Sequence, residues 1–131
     1  VIEAVGPVRK IPLERWIENG EGLYSVLRLK EGGNADDAIR AAEKYLGLPY
    51  DHDYLWGDDE FYCSELVYKA YSRGCGISLC DPKRFRDYNL ESVEEAVAER
   101  FGGVPGDRPV VAPGDLARSE LLIVVYSNMQ D

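Results

Sequence analysis

The sequence predicts a single domain of the α+β class. Its 131 residues are 45% hydrophobic, which is enough apolar material for one compact domain with its own core. Helical and strand patterns both occur along the chain, but the strands do not alternate regularly with helices as they do in a parallel doubly wound sheet. No internal repeat or low-complexity segment divides the chain, so we predict one domain over residues 1–131.

Charge and hydropathy argue against two classes of partner. The formal net charge of −9 would repel the phosphate backbone of nucleic acids, and the basic residues do not gather into a stripe. No apolar run approaches the roughly 20 residues that cross a bilayer, and the N-terminus lacks the basic-then-apolar pattern of a signal peptide. We therefore expect no nucleic-acid partner and no transmembrane segment.

The first part of the chain predicts two strands and a helix. Residues 1–4 and 23–29 have the composition of strands, and a short helical turn is expected over residues 12–17 of the Pro-containing connection between them. Asn34 is a suitable N-cap, and the apolar stripe that follows it continues until Gly47, where the predicted helix stops.

A second helix is expected to begin near residue 60 or 61 and to end at Gly74, a glycine placed where helices commonly stop. Its apolar positions recur three and four residues apart, at Cys63, Leu66, Val67, Ala70 and Tyr71. The spacing places Cys63 in the first turn and predicts that it begins the buried stripe.

The C-terminal part predicts a third helix, a loop and a strand. The helix is expected over residues 90–101, with Gly102 and Gly103 ending it, and a loop rich in Pro and Gly follows over residues 104–114. Residues 121–126 form a short apolar run with several β-branched side chains. Such a run is typical of a buried strand.

Cys63 has two interpretations at this stage. Unpaired backbone N–H groups at a helix N-terminus stabilise a thiolate and can later hold an oxyanion, so a cysteine in the first turn is well placed to act as a nucleophile. Free cysteines are also among the most buried residues, and one at the start of an apolar stripe can simply fill the core. The periodicity alone does not choose between them.

The chain offers few groups for general-base or metal chemistry. His52 is the single histidine, eleven positions before Cys63, and it is either a base on a loop that folds back or an exposed loop residue between two aspartates. The three cysteines, Cys63, Cys75 and Cys80, form neither a CxxC pair nor a zinc-ligand spacing. We expect no metal and no cofactor. The odd cysteine count favours a reducing compartment, although Cys75 and Cys80 could pair.

Three segments together resemble a known family. Gly47-x-Pro49-Tyr50, Trp56-Gly57 and Cys63-Ser64-x-Leu66-Val67 are similar to the cysteine-helix signature of NlpC-type papain-like hydrolases. In ordinary members the catalytic histidine follows the cysteine, whereas no histidine follows Cys63 here. The sequence therefore resembles the circularly permuted YiiX/YaeF-like branch, related to lecithin:retinol acyltransferase, as do residues 62–66 and 111–119. This resemblance implies a permuted papain-like fold, with an antiparallel sheet packed against helices that include the cysteine helix.

The resemblance also implies roles for individual residues. Cys63 would be the nucleophile, and its own N–H would contribute to the oxyanion hole. Glu3 would be the carboxylate that orients the catalytic imidazole. Tyr50, Tyr62 and Ser64 are the residues expected to bind the oxyanion or the substrate.

The family's catalytic histidine belongs on a strand that would precede Val1, where this sequence has no residue. We consider three explanations, in order of preference. An upstream segment is not represented in the chain, the protein is a natural pseudoenzyme, or His52 serves instead.

The leading functional expectation is an amidase or peptidase-like hydrolase that works through a thioester on Cys63. The alternatives are an inactive ligand-binding module of the same fold, a lipid acyl hydrolase or acyltransferase, and an interaction domain in which Cys63 is a core residue. We expect a small-molecule or peptidic amide as substrate, and nearby acidic residues would suit one with a free amine. These are Asp51, Asp53, Asp58, Asp59, Glu60 and Glu65. The cysteine count favours the cytoplasm, whereas an upstream signal would allow a periplasmic or membrane-anchored protein.

Overall fold

A computed structural model describes residues 1–30, 35–52, 54–84 and 109–129. In chain order the elements are β1 (Ile2–Ala4), β2 (Val8–Lys10), α1 (Leu13–Asn19), β3 (Ser25–Leu29), α2 (Asp36–Glu43), α3 (Cys63–Cys75), β4 (Lys83–Arg84), β5 (Pro109–Val110), α4 (Pro113–Ala117) and β6 (Leu122–Ser127). Helices and antiparallel strands occur in one chain, which confirms the predicted α+β class. The predicted helix over residues 90–101 lies outside the described residues, as does the proposed N-cap Asn34.

The described strands form three antiparallel pairs, each of two strands. Strand β1 pairs with β2, and this register places Glu3 opposite Arg9. Strand β3, in the N-terminal part of the chain, pairs with β6, near its C-terminal end. The register of this pair shifts between Val26 and Leu27. Strand β4 pairs with β5. Strands β1, β3 and β6 lie where the sequence predicts them, whereas β2 was not predicted because it is short and directly follows Pro7.

Helices α2 and α3 pack closely against each other, and Gly74 makes the approach possible. A Cβ atom at Gly74 would collide with the backbone carbonyl of Asp37 in α2. The prediction that Gly74 ends the helix is therefore wrong, since Gly74 lies inside α3 as a packing residue. Gly76 is the C-cap, with a left-handed φ of 69° that glycine adopts without strain. The helix also begins later than expected, at Cys63.

Among the described residues, two groups of buried side chains form the core. The first lies between β1, β2, α2 and α3 and comprises Ala4, Val8, Ala38, Ala42, Phe61, Leu66 and Ala70. The second lies between the C-terminal end of α3 and α4 and comprises Leu79, Val111 and Leu116. The cysteine helix thus contributes to the first group directly and lies beside the second, which fixes its orientation.

Two predictions of burial are wrong. Cys63 and Val67 of the apolar stripe on α3 are exposed, although Leu66 and Ala70 are buried as expected. Strand β6 was expected to be buried, but five of its six residues are exposed. The reason is the same in both cases. A short apolar run is buried only if another element covers it, and the described elements leave these surfaces open.

No helix in the described parts of the chain is long and apolar enough to cross a membrane. The longest of them, α3, has 13 residues and a mixed polar and apolar sequence.

Candidate active site

Cys63 is the first residue of α3, and the local sequence explains why the helix starts there. The preceding Tyr62 has extended backbone angles, with φ −92° and ψ 166°, and its carbonyl accepts the first helical hydrogen bond from the N–H of Leu66 at 3.0 Å. The side chain of Glu65 reaches back, and its Oε1 accepts the N–H of Tyr62 at 3.1 Å. The thiol of Cys63 is exposed at the positive end of a helix of 13 residues.

Tyr50 lies directly beside Cys63. Its hydroxyl interacts with both the side chain and the backbone of Cys63. Burial, with further contributions from Cys63 and Tyr54, raises the pKa of Tyr50 to about 12. The phenol therefore stays protonated throughout the neutral range and keeps a proton to donate.

Backbone hydrogen bonds hold Tyr50 in this position. Tyr50 forms an isolated bridge with Phe61, two residues before the helix. On either side of it, the N–H of Asp51 donates to the carbonyl of Phe61 and the N–H of Phe61 donates to the carbonyl of Pro49, both at 3.1 Å. The segment that carries Tyr50 is thereby attached to the residues that lead into Cys63.

Cys63 opens onto a groove of about 470 Å³. Strand β1, helix α1 and the exposed face of α3 form its walls, with Val1, Ile2, Glu3, Ala4, Val5, Leu13, Trp16, Cys63, Leu66 and Val67 as lining residues. Apart from Glu3 and the thiol, these side chains are apolar. A second groove of about 410 Å³ shares Val1, Ile2, Leu66 and Val67 with the first and continues along α3 to Ala70 and Tyr71.

Among the described residues, Glu3 is the one carboxylate that lines the groove of Cys63. Its Oε2 accepts hydrogen bonds from Arg9 across the strand pair, from Nε at 2.8 Å and from Nη2 at 2.7 Å. Both of these contacts use the same carboxylate oxygen. The side chain is only 13% exposed, so Arg9 fixes it in one orientation and Oε1 remains as a second acceptor.

His52 lies near Tyr50 but does not line the groove. Its ring centroid is 4.8 Å from that of Tyr50, and its side chain is exposed. The structure therefore brings three of the predicted site residues together around one groove or its edge: Cys63, Tyr50 and Glu3. It places His52 beside Tyr50, and His52 is not among the residues that line the groove.

Tyr62 and Ser64 are buried and bind Val111. The phenol oxygen of Tyr62 accepts the N–H of Val111 at 3.2 Å, and the hydroxyl of Ser64 donates to the carbonyl of Val111 at 2.5 Å. These bonds fasten the segment before α4 to the start of α3. Neither side chain lines the groove, so their predicted role in binding the oxyanion or substrate gains no support from the geometry.

Comparisons with known proteins identify the family. A family described as "permuted papain-like amidase enzyme, YaeF/YiiX, C92 family" matches residues 1–126. The chain belongs to this family. The YiiX protein of Escherichia coli strain K12 is 38% identical over 120 residues, which cover 86% of this chain and 59% of that protein. The chain thus spans less than two thirds of the length of this C92 relative.

A solved structure shows the same fold. The crystal structure of "metalloprotein yiiX" from Escherichia coli O157:H7 matches with a TM-score of 0.90 at 32% sequence identity. The match covers 99% of this chain and 76% of the other. The predicted permuted papain-like fold is thereby confirmed for this C92 member.

Three of the six acidic residues that were expected to attract an amine are engaged elsewhere. Glu65 and Asp51 are both 0% exposed, and Oδ2 of Asp51 accepts the N–H of Leu55 at 2.7 Å. Burial raises the pKa of Glu65. Asp58 binds Arg73 at 2.8 Å, and this hydrogen bond lowers the pKa of Asp58. Asp53 lies outside the described residues.

Lys69 is a residue of the site region that sequence reasoning missed. It lies one turn after Glu65 on α3, and its ammonium donates to Oε2 of Glu65 at 2.7 Å. The spacing of four residues between a glutamate and a lysine was a usable signal, but such pairs are ordinarily assigned to an exposed helix face. Here both side chains are buried.

Within residues 1–30, 35–52, 54–84 and 109–129, no group of three or more His, Cys, Asp or Glu side chains is arranged to hold a metal ion. The three cysteines are free thiols, so the open pairing of Cys75 with Cys80 does not occur in this structure. Burial and nearby acidic side chains raise the pKa of Cys80.

Proposed function

We propose that this C92 family member is a cysteine-dependent hydrolase of amides or peptides, and that it works through a thioester on Cys63. The observation that carries the proposal is the contact of the Tyr50 hydroxyl with both the side chain and the backbone of Cys63 at the start of α3. A nucleophile and two hydrogen-bond donors then meet at one point on the rim of the groove. The family description as an amidase supports the same reaction class.

The proposed reaction has two halves. In the first, Sγ of Cys63 attacks the carbonyl carbon of the substrate, and the carbonyl electron pair moves to the oxygen. The N–H of Cys63 and the hydroxyl of Tyr50 donate to this oxyanion. The C–N bond then breaks, the amine leaves with a proton from the general acid, and a thioester remains. In the second half, water attacks the thioester, releases the carboxylic acid and returns the proton to the thiol.

We propose a histidine as the base that activates the thiol and then as the acid that protonates the leaving amine. The family resemblance implies that this histidine lies on a strand next to the one that carries Glu3. Oε1 of Glu3 is the acceptor available to orient such an imidazole, because Oε2 is taken by Arg9. His52 is the alternative base in this chain, and its ring lies 4.8 Å from that of Tyr50.

The lining of the groove supports a small-molecule or peptidic amide with an apolar group beside the scissile bond. The side chains around Cys63 are mostly apolar, and the carboxylate of Glu3 is neutralised by Arg9. A free amine on the substrate, which the acidic composition suggested, draws no support from Asp51 and Glu65, since both are buried.

We propose a reducing compartment, the cytoplasm, as the site of action. All three cysteines are free thiols, and Cys63 is exposed. A nucleophilic thiol on the surface stays reduced where glutathione and thioredoxin act. Labelling of intact cells with a membrane-impermeant maleimide tests this, because a cytoplasmic Cys63 stays unlabelled until the cells are lysed.

The decisive experiment compares the alkylation rate of each thiol in the folded protein with its rate in the unfolded protein. Iodoacetamide alkylation at neutral pH is followed at each cysteine by peptide mass spectrometry, in the folded protein and in the same protein unfolded in urea. A nucleophile is activated by its folded surroundings, so we expect Cys63 to react about tenfold faster in the folded state. Cys75 and Cys80, which are partly buried, should react more slowly when folded.

Two variants sharpen the result. Tyr50→Phe removes the hydroxyl from Cys63 and should slow its alkylation several-fold, whereas Tyr126→Phe removes an exposed hydroxyl from β6 and should leave the rate unchanged. If Cys63 reacts no faster folded than unfolded, and if p-nitrophenyl esters do not acylate it, the hydrolase proposal is wrong. An inactive ligand-binding module of the same fold would then account for the groove.

A further inference from the structure

Lys69 is buried in the middle of α3 and has an unusually complete set of partners. Its ammonium donates to the backbone carbonyls of Trp56 at 3.0 Å and Gly57 at 3.1 Å, and to Oδ1 of Asp58 at 3.2 Å. It also donates to Glu65 at 2.7 Å and lies 4.6 Å from the centroid of the Trp56 ring. The partners other than Glu65 belong to the loop that leads from Tyr50 to the helix.

Glu65 connects this lysine to the start of the helix. One of its oxygens, Oε2, binds Lys69, and the other, Oε1, accepts the N–H of Tyr62, the residue directly before Cys63. The buried carboxylate of Glu65 therefore joins Lys69, which binds the loop, to Tyr62, the residue after which α3 begins. Because Glu65 is 0% exposed, water does not compete for either contact.

The loop that Lys69 binds has two residues with strained backbone conformations. Tyr54 and Trp56 have φ values of 54° and 62°, in the left-handed region that bulky side chains rarely adopt. Such conformations persist only where the surroundings hold them, and they cluster at functional sites. Lys69 binds the carbonyl of Trp56 itself, and Asp51 binds the N–H of Leu55 between the two strained residues.

We infer that Lys69 and Glu65 are a positioning pair, which presses the loop from Tyr50 to Gly57 against the N-terminus of α3 and so keeps the Tyr50 hydroxyl on Cys63. Its value for catalysis rests on the proposed function. The positioning role itself is independent of the proposed function, because the contact of Tyr50 with Cys63 can be measured without any turnover.

The test is the titration of the Tyr50 phenol. Phenolate absorbance is recorded in the first milliseconds after a stopped-flow jump to alkaline pH, before unfolding, and the same protein with Tyr50→Phe is subtracted. In the intact protein the midpoint should be about 12. In Lys69→Met the loop is released, the phenol becomes hydrated, and the midpoint should fall by about one unit or more toward the reference of about 10.

Three variants keep the test decisive. Glu65→Gln retains an amide oxygen for the N–H of Tyr62 but removes the negative charge that faces Lys69. It should shift the midpoint in the same direction as Lys69→Met, and it replaces that variant if Lys69→Met does not fold. Gly74→Ala strains the packing of α2 on α3 away from the loop, and Lys44→Met removes an exposed lysine. Both of these should keep the midpoint at about 12.

The outcomes separate the positional claim from the proposed function. A midpoint that stays at about 12 in Lys69→Met and Glu65→Gln, or that falls equally in Gly74→Ala, overturns the positioning role. The alkylation rate of Cys63 is measured in parallel. If the midpoint shifts as expected but Cys63 is unreactive even in the intact protein, the positioning role stands and the hydrolase proposal fails.

Discussion

Helix α3 departs from an ordinary surface helix on two faces, although Leu66 and Ala70 of its apolar stripe are buried. The face that carries Cys63 and Val67 is apolar but open to the groove, and Val67 is 38% exposed. The other face carries Glu65 and Lys69, which are 0% and 4% exposed. An amphipathic helix normally buries its apolar stripe and exposes its charges.

This difference indicates what each face does. A buried ion pair adds little net stability compared with apolar residues of the same volume, because both charges lose their hydration. A contribution to stability therefore explains the two buried charges poorly. Their contacts with the loop that carries Tyr50 favour a role in positioning that loop. The apolar face remains available for a ligand, with the nucleophile at its N-terminal end. Substitutions on each face of α3 and at its neighbours test this division.

Replacing the nucleophile tests the open face. Cys63→Ser should reduce acylation by p-nitrophenyl esters by a factor of about 10⁴ or more, as removal of a nucleophile does in other hydrolases. Because Cys63 is exposed, the free energy of unfolding should change by less than about 0.5 kcal/mol. The release of nitrophenolate and the mass of the acylated protein report the first quantity, and urea denaturation reports the second. Full acylation of the variant would remove Cys63 from the mechanism.

Breaking the ion pair tests the charged face. Lys69→Met should lower the free energy of unfolding by about 3–5 kcal/mol, since Glu65 is left buried without a cation. In the double variant Glu65→Gln/Lys69→Met no charge remains, so we expect it to be at least about 1 kcal/mol more stable than the single variant. Urea denaturation followed by circular dichroism measures both, with Lys44→Met as the control. Equal stability of the single and double variants would contradict a coupled pair.

The variant Gly74→Ala tests how closely α3 packs against α2. Gly74→Ala should lower the free energy of unfolding by about 1–3 kcal/mol, because its new methyl group collides with the backbone of Asp37. Gly6→Ala is the matched control, since a Cβ there has nothing within 4 Å. Thermal unfolding of the two variants side by side should show a loss for Gly74→Ala alone. A loss of the same size in both would attribute the effect to the glycine substitution itself.

The phenol of Tyr50 makes stability depend on alkaline pH. Its pKa is about 12 in the folded protein and about 10 in an unfolded chain, so between these values the folded state retains a proton that the unfolded state has lost. The stability that this proton contributes is complete below pH 10 or so and is lost as the pH rises toward 12. Tyr50→Phe should therefore show a shallower decline of stability over this range, measured by urea denaturation at several pH values.

A polar substitution on the open face should have the smallest effect. Val67→Ser removes apolar surface that is already partly in contact with water, so the free energy of unfolding should change by no more than about 0.5–1 kcal/mol. The same measurement on Leu66→Ser, a buried neighbour on the helix, should show a far larger loss. Similar losses in the two variants would mean that another part of the protein covers Val67.

The sequence predicts much of the fold and part of the site. Strand and helix periods locate β1, β3, α2, α3 and β6, and the family motifs single out Cys63, Tyr50 and Glu3, which line the groove or contact its thiol. Strand β2 was missed because three residues after a proline carry little pattern. The burial of β6 was predicted wrongly because a run of apolar residues does not reveal whether anything covers it.

Local chemistry can be predicted from the sequence. Neighbouring residues decide that α3 contains Cys63 in its first turn, because the 3.6-residue period and the reach of Glu65 to Tyr62 act over only a few positions. Tertiary structure decided which residues of the apolar stripe on α3 are buried. Lys69 meets the carbonyl of Trp56 thirteen residues away only because the loop folds back onto the helix. Burial depends on such distant partners, and a one-dimensional pattern does not contain them.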